Sequence, residues 1–215
     1  MNEQSLARAT GGLMILSGAA NVAFWILAWR IGSFVGAAAV LDPLWAPSQA
    51  LHLTASILGA IGLAGLFAVL RRAIGAGSAL SFALALVGAL CYFADGVIAF
   101  SIFPAVAQAA PTMVAASGIM NGPPLLFTFI AFSVMFMIGY LALSAALART
   151  RMFPLGAIGL FALGAVISNL PPGPVPTALI EAGGVVFGAG AIWLGLVVMG
   201  QGRARARAEG AALPF

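Results

Sequence analysis

The sequence contains no lysine, and all nine of its basic residues are arginines. A retinal-type Schiff base, which needs a lysine amine, is therefore impossible on this chain. Its one histidine, His52, rules out haem ligation by two of its own imidazoles. Its one cysteine, Cys91, rules out an internal disulfide, a Cys-x-x-Cys redox pair and a Cys/His zinc cluster. No phosphate-cradling or catalytic short motif occurs, which argues against ATP-driven chemistry here. Charge is scarce as well: Asp, Glu, Lys and Arg make up 7% of the 215 residues, against about 25% in a soluble domain. So few charges cannot cover a water-facing surface, and soluble enzyme folds are excluded.

What is present is apolar. Hydrophobic residues make up 63% of the chain and the mean hydropathy is +1.13. Uncharged or nearly uncharged runs cover 11–29, 50–70, 77–100, 124–147, 154–170 and 178–199. Each is roughly 17 to 24 residues long, enough for a helix to cross about 30 Å of hydrocarbon. Membrane β-strands would instead show alternating segments of about 10 residues, and these runs are continuous and rich in Ala and Leu. The pattern predicts an all-α polytopic helix bundle, one integral-membrane domain over 1–215 with six transmembrane helices.

Arginine sets the expected orientation. Arg8 precedes the first run, Arg71 and Arg72 separate the second and third, and Arg149 and Arg151 separate the fourth and fifth. Arg203, Arg205 and Arg207 follow the sixth, in a basic tail over 201–215. Under the positive-inside rule an even number of spans puts all four clusters, and both termini, on the cytoplasmic side. Arg30 alone falls outside, where Asp42 could neutralise it. Pro123 and Pro124 open span four, Pro154 opens span five, and 171–176 reads as a stiff, proline-rich outer turn. Trp25, Trp29 and Trp45 fall where an outer aromatic belt would sit. Pro104, Gln108, Pro111 and Asn121 interrupt the uncharged stretch 101–121, which reads as an outer interfacial or re-entrant loop and not as a seventh span. The start of the chain imitates a signal peptide, but its apolar run of about 19 residues exceeds the usual 7–15 and predicts an uncleaved anchor. A looser pattern, odd spans opening on arginine and glycine and even spans closing on arginine, would fit three helical hairpins.

Polar groups inside apolar spans are costly and therefore informative. Here they are Asn21, His52, Asp95, Asn169 and Glu181. At about 1.5 Å per residue the last four lie roughly 27–35 Å from the arginine layer and Asn21 about 20 Å from Arg8, all in the outer half. Glu181, Gly184, Gly188, Ala191 and Gly195 share one helical face, and small residues on a face let helices approach closely. Gly88, Cys91, Asp95 and Ala99 share another; His52 shares one with Ser56 and Gly59. Asn21 stands above Ser17 and Met14, and Asn169 above Ala165, Ala162 and Gly159. If these stripes mark the interior, the five polar residues converge on an outward-facing pocket. Asp95 and Glu181 could then share a proton, with His52 as relay, which suits proton-coupled binding, cation binding or general acid catalysis. One histidine and two carboxylates are a thin donor set, so no metal and no cofactor are expected. The commoner roles of such residues are helix capping, snorkelling and simple interhelical hydrogen bonding.

The segment Arg151-Met152-Phe153-Pro154, the proline-rich turn, Glu181 and Ile192-Trp193-Leu194-Gly195 resemble the ending of small multi-pass bacterial inner-membrane proteins grouped in families without an assigned function. The likeness covers the last quarter of the chain and implies no activity and no catalytic residues. Three functions stay open: binding or transport of a small or lipid-like molecule, a membrane enzyme acting on a lipid or isoprenoid, and a structural subunit of a membrane complex. The expected surroundings are the lipid bilayer and either a homo-oligomer or a complex partner. Arg203, Arg205 and Arg207 read as a topology anchor for anionic lipid, with no aromatic interleaving to indicate nucleic acid. A periplasmic activity reporter fused after Pro174 should be active and one fused after Arg72 inactive; the reverse result overturns the orientation.

Overall fold

The computed structural model describes residues 2–32, 35–71, 74, 76–123, 125–171 and 175–211, with side chains throughout except at 76–77 and 201–211. Arg72, Pro124, the 172–174 part of the proline-rich turn and the side chains of Arg203, Arg205 and Arg207 lie outside the described residues. Helix α1 runs Glu3–Ile31, α2 Ala37–Val40, α3 Trp45–Leu70 and α4 Ala76–Val97. Then follow α5 Phe103–Ala109, α6 Leu125–Thr150, α7 Leu155–Ile167 and α8 Thr177–Ala211. Within the described residues five helical stretches are long and apolar enough to cross a membrane: Glu3–Ile31, Trp45–Leu70, Ser78–Ala109, Leu125–Thr150 and Thr177–Gly200. The protein is thus an all-α membrane protein.

The six principal helices close into a ring in which α1, α3, α4, α6, α7 and α8 each pack on the next, and α8 returns to α1. Close approaches fix the registers. Thr10 and Met14 of α1 meet Gly65 and Gly62 of α3, while Gly11 and Gly18 meet Gly195 and Gly188 of α8. Leu84 and Phe136 meet Gly139 and Gly88 across α4 and α6, and Phe161 and Phe187 meet Gly190 and Gly164 across α7 and α8. In every case numbers rise along one helix as they fall along the other, so these neighbours are antiparallel. The chain therefore folds as three antiparallel hairpins, α1/α3, α4/α6 and α7/α8. Arg8, Arg71 and Arg149 gather at one end, the basic end.

Glycine makes the α1–α8 seam possible. A Cβ built on Gly188 would lie 2.7 Å from the Gly18 carbonyl oxygen, and one on Gly195 would lie 2.7 Å from that of Gly11. The obstacle is backbone, which has no rotamer to move. The stripe on α8 anticipated from its spacing thus faces a helix, and Glu181 at its head is only 5% exposed.

Three features differ from the sequence-based expectations. First, the third helix does not end at Phe100. It passes through a π-helical turn, Ile98–Ile102, into α5, so 101–109 is helix and not loop. Pro104 is tolerated because the wider turn shifts the hydrogen-bond register before it: the Phe103 N–H reaches back to Ile98 O. Proline has no N–H to offer the Ala99 carbonyl; the Trp45 indole N–H donates to that oxygen instead, at 2.9 Å. Secondly, of the three expected belt tryptophans only Trp29 is exposed; Trp25 and Trp45 are buried and bound inside the bundle. Thirdly, α7 has 13 residues, about 20 Å at 1.5 Å each, because Ser168–Leu170 form turns where 154–170 was expected to be one span. Asp42 accepts the Leu44 N–H at 2.7 Å, and no Arg30–Asp42 ion pair forms among the described residues.

The end opposite the arginines carries a cap. Val40, Trp45, Phe103, Ala107 and Val114 form a small buried cluster joining the α1–α3 connection to α5 and the turns after it. Gly36, at φ 97°, donates its N–H to Val114 O at 2.9 Å and ties the two connections together. Asn121 secures the far side through its amide N–H groups, 3.0 Å from Val114 O and 2.9 Å from Ala115 O. Substituting Gly188 by Leu should destabilise the bundle by at least about 2 kcal/mol through overpacking. Gly12, which has nothing within 4 Å of an added Cβ, should accept Ala with a change within about 1 kcal/mol. Thermal unfolding of the two variants in detergent checks the contrast.

Candidate functional site

The hairpins meet around a partly open pocket. A cavity of about 30 Å³ lies on the ring axis, lined from all six principal helices. Room for one water needs roughly 10–15 Å³ on the same measure, so the space fits one or two water-sized groups. Its polar lining comes from Ser17, Asn21, Ser56, Tyr92 and Tyr140. Ser17 and Ser56 each donate a hydroxyl to a backbone oxygen at 2.8 Å, Ser17 to Ala55 across the α1–α3 contact and Ser56 to His52 one turn back.

Aromatic rings supply the rest of the wall. Tyr92 lies 4.9 Å from Phe136, which stacks on Tyr140 at 4.2 Å. Phe161 and Phe187 stack at 4.8 Å and meet Tyr140 edge-on at 5.2 and 5.1 Å. On the capped side the series continues through His52, 4.0 Å from Tyr92, to Phe24 at 4.7 Å from His52. Small residues on the interior faces, Gly59, Ala89 and Ala191 among them, leave the space that these rings border.

The five residues singled out by sequence are placed differently from one another. Asn21 is buried and donates its amide to Gly184 O at 2.8 Å, linking α1 to α8 where the glycine leaves that carbonyl accessible. His52 is buried between Phe24 and Tyr92, with its Nε2 3.0 Å from Tyr92 O, so its ring is a structural bridge from α3 to α4. Asn169 turns back on its own helix end, to Ala165 O at 3.0 Å and Ser168 Oγ at 3.1 Å. The α7 face beneath it does not point inward at Gly159, which has open space around it; the interior face of α7 runs through Ala157, Phe161 and Gly164. Asp95 is half-buried, one turn beyond Tyr92 on α4 and within electrostatic reach of the Tyr92 hydroxyl. Glu181 is buried with its Oε1 unpartnered. Asn21 and His52 therefore serve packing at the pocket edge, Asn169 serves a helix end, and Glu181 keeps one oxygen without a partner. Among the described residues no three His, Cys, Asp or Glu side chains come together as a metal site.

Sequence reading missed Ser48 and Gln49. Both are fully buried, and Ser48 Oγ and Gln49 Oε1 have no hydrogen-bond partner. Hydropathy starts span two at Ala50, whereas α3 begins at Trp45 and so includes both residues. The i, i+4 series Ser48, His52, Ser56 was the signal available. Tyr92 and Tyr140 were also missed, counted as apolar bulk although each brings a hydroxyl to the interior. Trp25 closes the group: its indole hydrogen-bonds the Tyr92 hydroxyl.

Comparison with known proteins finds no matching family model, no matching curated protein and no matching solved structure. The interhelical role of Asn21 and the local role of Asn169 predict different penalties. Asn21→Ala should destabilise the protein by about 1 kcal/mol, as interhelical hydrogen bonds in membranes do, and Asn169→Ala by less. Equal effects in detergent unfolding would contradict the assignment of Asn21 to the seam.

Proposed function

We propose that the protein crosses a bacterial inner membrane six times, with both ends cytoplasmic, and binds or transports a small molecule through the central pocket, entered from the outside. The observation that carries the reading is the cavity on which all six principal helices converge, with a few polar groups on its wall.

The arginines support the orientation. Arg8, Arg71 and Arg149 share an end, and α6 finishes there while α8 begins at the opposite end. The connection through α7 must therefore traverse the bundle, and its 13 helical residues together with the turns up to α8 supply the length. With the basic end cytoplasmic, the cap, Asp95 and Glu181 lie on the outer side. The size of the cavity favours a small occupant over a lipid-like one.

The test is a thermal-shift screen of small polar solutes on purified protein. A solute at about 100 times its Kd should stabilise the folded state by about 2.7 kcal/mol, and Ser56→Leu, which fills the cavity, should abolish the shift. A shift unchanged in that variant, or stabilisation by lipids alone, would overturn the pocket as the binding site.

A further inference from the structure

We propose that the pocket is entered sideways from the outer leaflet, through the gap beyond the end of α7 between α6 and α8. Its ligand is then a small uncharged molecule that dissolves in the membrane. This rests on the pocket and orientation readings above and names the route and the ligand class. The first ground is depth. Beginning just after Arg151 at the basic end, α7 has 13 residues, about 20 Å at 1.5 Å each. The hydrocarbon is about 30 Å thick, so α7 stops roughly 10 Å short of its outer boundary. Its neighbour α6, with 26 residues, is long enough to cross all of it.

The second ground is how α7 ends. The last four carbonyls of a helix ordinarily turn to water or to a cap, and hydrocarbon offers no donors. Here all four are met locally. The Ser168 N–H donates to Gly164 O, the Asn169 side-chain amide to Ala165 O, the Asn169 N–H to Val166 O and the Leu170 N–H to Ile167 O, at 3.0, 3.0, 3.2 and 3.3 Å. A helix end closed in this way can face lipid tails at no cost in unpaired carbonyls.

The third ground is where the wall is left thin. One turn outward from the pocket, Phe24, Trp25 and His52 are buried and close the α1 and α3 side. The cap cluster draws in Leu125 and Phe129 of α6 but no described residue of α7 or α8. The seven buried residues of α6 lie between Phe136 and Leu147, and none of 125–135 is buried. Val175, after the proline-rich turn, packs on the cluster of Phe24, Trp25, Ala28 and Ile180, on the α1 side of α8. Between gap and cavity the rings of Phe136 and Phe187 meet edge-on at 5.3 Å, and Phe187 is only half-buried although it lines the pocket. These two rings are the gate. A charged solute would have to cross lipid tails to reach them, a cost that an uncharged one avoids. The wall agrees, since Ser17 and Ser56 already give their hydroxyl protons to backbone oxygens.

The test measures thiol modification of the full chain in phosphatidylcholine vesicles, in a Cys91→Ala background. Ala191→Cys places a thiol in the pocket wall and Thr112→Cys an exposed control. The probes are methyl methanethiosulfonate, which is uncharged, and its anionic sulfonatoethyl analogue. Relative to Thr112→Cys, the uncharged reagent should modify Ala191→Cys at least tenfold faster than the anionic one. Ser133→Trp, one turn outward from Phe136 on α6, should slow the uncharged reagent at least tenfold, and Phe187→Ala should speed it several-fold. Equal normalised rates for the two reagents, no modification of Ala191→Cys by either, or a rate unmoved by both gap variants overturns the proposal. If Ser133→Trp does not fold, Phe187→Ala and the reagent ratio decide. An anionic reagent that reaches Ala191→Cys readily defeats the lateral route and leaves the pocket standing; loss of the pocket itself shows instead in the solute shift and its Ser56→Leu control.

Discussion

The close approach of the first and last long helices is what turns three hairpins into a ring. Within hydrocarbon, helices gain little from hiding apolar surface, because lipid tails are as apolar as leucine. Association has to come from backbone-to-backbone packing and from the few hydrogen bonds that cross between helices. The α1–α8 seam uses both, with glycine facing glycine at Gly18/Gly188 and Gly11/Gly195 and the Asn21 amide on the Gly184 carbonyl. Without it, α1/α3, α4/α6 and α7/α8 would form an open row whose interior face met lipid. The cavity exists only because the row closes, so one set of glycines underlies both the fold and the pocket.

At the capped end a second constraint operates. Backbone polar groups inside a membrane must be satisfied internally, yet Pro104 withdraws an N–H in the middle of a helical stretch. The π-helical turn and the Trp45 indole answer that withdrawal together, and in doing so they pin the start of α3 to the end of α4. The same tryptophan belongs to the apolar cluster that holds α2 and α5 over the bundle. A proline that read in the sequence as a loop marker thus fixes the cap instead.

Membrane character, the apolar helices and the interior stripe of α8 were legible because each rests on a repeated pattern: uncharged length, arginine spacing, or small residues three and four apart. The exceptions are local. Arg151 adopts φ 55° to turn α6 sharply into Phe153 and Pro154, a connection that composition does not specify. Trp25 and Trp45 fit a belt by position along the chain, but hydrogen-bond partners on another helix drew them inward. Asn169 and Glu181 looked alike in sequence, polar groups near helix ends above small residues. Their chemistry separates them: the Asn169 amide donates to the Ala165 carbonyl one turn back, while Glu181 Oε1 is an acceptor and meets no donor. Ser48 and Gln49 escaped notice because a span boundary inferred from hydropathy excluded polar residues that the helix includes.

The polar groups are not spread evenly through the bundle, and the asymmetry has a physical meaning. A buried polar atom without a partner costs about 1–3 kcal/mol, and in hydrocarbon no water is at hand to reduce that. Of the four such oxygens in the described interior, Ser144 lies toward the basic end, where a serine hydroxyl can turn to a carbonyl of its own helix. The other three, Ser48, Gln49 and Glu181, lie toward the capped end, and the Ser48 hydroxyl can turn in the same way. Gln49 and Glu181 have no such local escape in the way a hydroxyl does, since both carry oxygens that only accept. Unsatisfied acceptors in a low-dielectric interior are destabilising, so the capped half of the bundle gives up stability that the close packing of the α1–α8 seam offsets.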